Sequence, residues 1–65
     1  MKIILNSTPC DIQSDTLEQT LQELGYHSPA LATAVNGTFV SRAKRCETRL
    51  TDGDRVEVLA PMQGG

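Results

Sequence analysis

Asp52-Gly53-Asp54-Arg55-Val56-Glu57-Val58-Leu59-Ala60 reads as a tight turn running into a strand. Short acidic side chains fold back on their own backbone, and the glycine between them supplies a positive φ without steric cost, so Asp52-Gly53-Asp54 is strong turn chemistry. Val56 and Val58 then alternate with Arg55, Glu57 and Leu59. That period of two predicts a strand over 55–60 with Val56 and Val58 inward and Glu57 and Leu59 outward. Five further residues follow: Pro61-Met62-Gln63-Gly64-Gly65. A strand that leads directly into a tail ending on two glycines makes the terminal carboxylate a candidate reactive group. The plainer alternative is a frayed end.

Upstream, residues 1–6 form a second alternating segment, which places Met1, Ile3 and Leu5 toward the core and leaves Ile4 on the outer face. Asn6-Ser7-Thr8-Pro9 is a turn. A short strand is expected at 8–12, where Pro9 is tolerable only near the start or on an edge. Ser14-Asp15-Thr16 starts a helix, with either Asp15 or Thr16 as the cap. Leu17, Leu21 and Leu24 then recur on one helical face, and Gly25 stops the run after about ten residues. Such a helix is too short to stand alone, so its leucines must dock on a sheet. Residues 31–35 read as a strand with Leu31, Thr33 and Val35 on one face and Ala32 and Ala34 on the other. Asn36-Gly37 is a hairpin turn, and 38–40 a strand stub. Residues 41–46 are irregular and charged, with room for one helical turn, and 47–50 are expected to form another short strand.

With 65 residues the chain makes one small domain, whose modest core leaves little room for a deep substrate pocket. This favours a carrier or binding module over an enzyme. The net charge of -2, one Tyr, one Phe and no Trp argue against nucleic acid. The cluster Arg42, Lys44, Arg45 and Arg49 reads as a solvated loop face, with a docking patch for an acidic protein partner as the alternative. Three apolar residues after Met-Lys are too few for a signal-peptide core, and no stretch reaches membrane-spanning length. The expectation is a soluble, cytoplasmic chain, monomeric when free. Cys10 and Cys46 lack metal or redox spacing and read as reduced thiols. The lone His27 has no ligand cluster around it.

The predicted order is β-β-α-β-(short β)-β: an α+β fold with a mixed four- to five-stranded sheet and one helix on one face. The first and last strands are the most apolar and belong side by side, parallel, at the centre. That is the β-grasp arrangement: a domain over residues 1–60 with a flexible tail over 61–65.

These residues resemble the family of small sulfur carriers of thiamine biosynthesis, ubiquitin-like β-grasp proteins. The resemblance covers essentially the whole chain. It rests on the opening Met1-Lys2-Ile3-Ile4-Leu5-Asn6, Thr16-Leu17 with Leu21 and Leu24-Gly25, and Ala34-Val35-Asn36-Gly37. It continues through Val40 with Arg42, Leu50 with Asp52-Gly53-Asp54 and Val56-Glu57, and the final Gly64-Gly65. Ser41 departs from the pattern, because family members commonly carry proline before the arginine.

The resemblance implies a sulfur carrier rather than an enzyme. It binds no cofactor, and the ATP is used by a partner. A ubiquitin-activating-like adenylyltransferase adenylates the carboxylate of Gly65, sulfur from a cysteine desulfurase or other donor yields a thiocarboxylate, and thiazole synthase consumes it. Adenylation is needed because a terminal carboxylate, with a pKa of about 3.5, is ionised and inert toward sulfur nucleophiles. Gly64, Gln63 and Met62 would thread into partner active sites. Five extended residues reach about 17 Å, and the paired glycines remove Cβ clashes. Partner docking then falls to the outward residues Ile4, Ala34 and Leu59, with Arg42 from the family pattern. Two other thioester- or thiocarboxylate-type readings stay open: the small subunit of molybdopterin synthase, whose chains are usually longer, and a ubiquitin-like protein modifier. A third is an inert interaction module.

Overall fold

The structure is a computed structural model and describes residues 1–28 and 30–60. Its elements are β1 (Lys2–Leu5), β2 (Thr8–Asp11), α1 (Leu17–Glu23), β3 (Ala32–Val35), β4 (Thr38–Val40), a 3₁₀ helix (Arg42–Glu47) and β5 (Arg55–Leu59). The five strands form one sheet in the order β2-β1-β5-β3-β4. β1 and β5 are parallel neighbours at its centre, with Ile4 opposite Arg55 and Leu5 opposite Val56. The remaining pairings are antiparallel. The expected β-grasp order, including the parallel central pair, is what the chain adopts. Pro9 lies on the edge strand β2, where its missing N–H costs no internal ladder bond.

Both hairpins use two-residue turns with positive φ at each position: Asn6 (47°) and Ser7 (70°), then Asn36 (51°) and Gly37 (84°). This backbone twist matches that of the flanking strands. Helix α1 begins at Thr16, whose hydroxyl accepts the Gln19 N–H at 3.2 Å, so Thr16 and not Asp15 is the cap. The helix ends in a Schellman motif: Gly25 has φ 87°, its N–H donates to Gln22, and that of Tyr26 donates to Leu21. Leu17 and Leu21 bury against Ile3, Val56 and Val58, with Ile12, Leu31, Val40 and Leu50 completing the core. Among the described residues, no helix or strand covers the face of the sheet opposite α1.

Three expectations need correction. Met1 is exposed rather than inward: its backbone exchanges two hydrogen bonds with Ile12, and its side chain lies beyond the end of the core. Residues 47–50 form no strand of the sheet. Instead Leu17 N–H donates to Thr48 and Leu50 N–H to Asp15, which makes one bridge that pins the start of α1. Finally, Arg45 leaves the expected solvated cluster. It is buried, donating from Nε to the Thr33 hydroxyl at 3.2 Å and from Nη2 to the Leu31 carbonyl. Arg42, Lys44 and Arg49 are exposed, as expected of a solvated face.

Candidate functional site

The candidate site has two parts: the end of β5, which precedes residues 61–65 in the sequence, and the face of the sheet opposite α1. Among the described residues, β5 is held from both flanks. On the β3 side, pairing extends to Ala32 opposite Leu59. On the β1 side, the ladder reaches Val56, whose carbonyl accepts the Asn6 N–H at 2.9 Å. Beyond that point the Asn6 side chain takes over. Its Oδ1 accepts the Val58 N–H at 2.9 Å and its Nδ2 donates to the Val58 carbonyl at 3.2 Å.

The start of β5 is fixed by the turn before it. Lys2 N–H donates to Asp52 Oδ1 at 2.7 Å, and the Lys2 carbonyl accepts the Gly53 N–H at 2.7 Å. Asp54 accepts from the Thr51 N–H (2.8 Å), the Thr51 hydroxyl (3.0 Å) and Asn36 Nδ2 (3.1 Å). These donors, the Thr51 amide foremost, hold the Asp54 carboxyl below its ordinary pKa of 3.8. The two acidic residues of the turn are therefore structural acceptors, and they set β5 parallel to β1.

On the open face, Ala32, Ala34, Phe39 and Leu59, with Glu57, line an apolar depression of about 170 Å³. Phe39 is 69% exposed and Leu59 70%; among the described residues the other exposed large apolar side chain, Met1, is 38% exposed. Ile4 is half-buried and lines a separate, more polar depression of about 180 Å³ with Ser7, Gly37, Arg55 and Glu57. Ile4 and Leu59 share the face, as expected of outward residues on adjacent strands. The register nevertheless separates them: Ile4 pairs with Arg55, four residues before Leu59, which is about 13 Å along the strand. Glu57 lines both depressions.

The structure thus brings Ala34 and Leu59 together, sets Ile4 apart, and places Arg42 elsewhere, exposed at the start of the 3₁₀ helix. Phe39 went unassigned in the sequence reading. Its signal was available: Val40 is buried, and period two then sends Phe39 outward beside Ala34, its cross-strand partner. Gly65, Gly64, Gln63, Met62 and Pro61 lie outside the described residues. Among the described residues no group of His, Cys, Asp or Glu could hold a metal ion, and no helix is long and apolar enough to cross a membrane. Cys10 and Cys46 are both free.

Comparison with known proteins joins these features. The model of the ThiS family matches residues 3–65. A Sulfur carrier protein ThiS from Thermus thermophilus is 36% identical over 61 residues, covering 94% of this chain and 95% of that one. The crystal structure of a thiamine biosynthesis protein (ThiS) from Geobacter metallireducens superposes with a TM-score of 0.83 at 26% identity, over the full length of both chains. A solution structure from the same organism also gives 0.83, with 88% of its chain covered. A mixed sheet with parallel central strands and one helix across it is thus a shared design, and the chain belongs to the ThiS family.

Proposed function

We propose that the chain is a sulfur carrier of thiamine biosynthesis that works through the carboxylate of Gly65. The observation that carries this reading is the family match, which runs through residue 65 and so includes Gly64-Gly65. One oxygen of the carboxylate attacks the α-phosphorus of ATP in an adenylating partner, and pyrophosphate leaves. The terminal sulfur of a persulfide that a desulfurase forms from cysteine then displaces AMP, and a thiol reduces the resulting acyl disulfide, releasing a thiocarboxylate. Thiazole synthase takes the sulfur and regenerates the carboxylate. The partners supply the catalytic groups; this chain supplies position and recognition. Residues 62–64 thread the partner's channel, and the open face bearing Leu59, Ala34 and Phe39, flanked by Ile4, docks on the adenylating enzyme.

The test is an intact mass measured after incubation with that enzyme, ATP and a cysteine-derived sulfur source. An oxygen-to-sulfur exchange localised to Gly65 is expected in the full chain and absent from a chain lacking Gly65. No exchange with a competent partner would overturn the reading.

A further inference from the structure

Asn6 and Asn36 hold β5 in the same way from opposite flanks. Each occupies the first positive-φ position of a two-residue hairpin turn. Asn36 donates its N–H to the Arg55 carbonyl at 2.7 Å and accepts the Arg55 N–H on Oδ1 at 2.9 Å. Asn6 donates its N–H to the Val56 carbonyl and closes both backbone groups of Val58 with its carboxamide. The two clasps differ in where they act. Asn36 grips the start of β5. Asn6 grips Val58, two residues before the last described position, and among the described residues it is the final hydrogen-bonded hold on that flank.

We propose that Asn6 is a positioning residue for the terminal segment: its carboxamide fixes the end of β5 that precedes residues 61–65. The inference rests on the carrier function proposed above. A strand end held on both flanks at Val58 has fewer conformations to lose on entering a partner than one held past Val56 on the β3 flank alone, where pairing reaches Leu59. The effect belongs to association, because the acyl-transfer groups are the partner's. Removing the clasp therefore raises KM and leaves kcat alone.

Asn6→Gly and Asn36→Gly separate this role from simple stabilisation. Glycine adopts positive φ freely, so both hairpin turns survive while one clasp is lost in each. The full chain serves as substrate for its adenylating enzyme, followed by ATP–pyrophosphate exchange, and Val58 amide exchange is measured by NMR. Asn6→Gly should raise KM about three- to tenfold with unchanged kcat and speed exchange at Val58. Asn36→Gly should leave KM and kcat at the wild-type values. Equal KM for wild type and Asn6→Gly overturns the proposal, and so does an equal rise in both variants, which would mark a general loss of stability. Wild type that supports no exchange reaction overturns the carrier reading itself, and the positioning role with it.

Discussion

Arg45 is a cation inside a small protein, and among the described residues its partners are neutral: the Thr33 hydroxyl and the Leu31 carbonyl. Thr33 passes the bond on, donating to the Val40 carbonyl at 2.9 Å. The side chain thereby ties the 3₁₀ helix to the sheet. Arg45→Ala leaves the Leu31 carbonyl short of a donor and opens space beside it. Chemical denaturation should show a loss of about 2–4 kcal/mol; a loss below half of the lower figure would mean that the guanidinium's burial already cancels its bonds. Nothing in the spacing of Arg42, Lys44, Arg45 and Arg49 distinguished Arg45 from its neighbours. Its burial depends on how the 3₁₀ helix folds over β3, a tertiary fact. Two carboxyls carry a pH signature. Glu23 accepts from Ser14 and from the Gln13 N–H, and these bonds, the Ser14 hydroxyl first, hold it below its ordinary 4.5. Asp54 is likewise held below 3.8. Both are easier to ionise folded than unfolded, so their contribution is present above those values and is lost as pH falls through the lowered ones. Urea midpoints should decline below pH 4.5, and the decline should be shallower in Glu23→Gln and Asp54→Asn. Parallel pH curves for variants and wild type would reject this.

Helix α1 is an element that cannot exist unaided, since its seven residues fall well short of what an isolated helix needs. It persists because Thr16 caps one end, the Gly25 motif closes the other, and Leu17 and Leu21 dock on the sheet. Leu21→Ala should cost about 2–5 kcal/mol in a denaturant series, and a cost near zero would imply that the helix contributes nothing to the core. The start, the stop and the apolar face were all readable, because each depends on residues within a turn of one another. Thr20, fully buried on the same face, was not assigned, since a threonine gives no apolar signal there. The segment at 47–50 was misread for a related reason. Its residues have strand character, but their partner is the helix start and not a strand, and local pattern does not reveal the partner.

At the scale of the whole molecule, one face of the sheet carries the core, and among the described residues the other stays bare. The exposed Phe39 and Leu59 sit on the bare face with Ala32 and Ala34 between them. Leu59→Asp and Phe39→Asp should each weaken binding to the adenylating enzyme by more than about 1 kcal/mol while leaving unfolding cooperative, because neither side chain lies in the core. Unchanged dissociation constants, read by calorimetry, would remove this face from recognition. The order of strands followed from the sequence because the two most apolar segments lie near its two ends and must share the middle of the sheet. The offset between Ile4 and Leu59 did not follow. Register is set by the hydrogen bonds of the Asp52-Gly53-Asp54 turn to Lys2, and composition does not encode it.

The pairing of β1 with β5 also has a consequence for synthesis. The hydrogen bonds of Lys2 with Asp52 and of Asn6 with Val58 join residues 50 and 52 positions apart. A nascent chain that has not yet emerged through β5 lacks the strand that bridges β1 and β3, so folding waits for β5. Chains released early, before β5, should remain unfolded and open to proteolysis. Chains that stop short of β5 then yield no folded copy of the sheet.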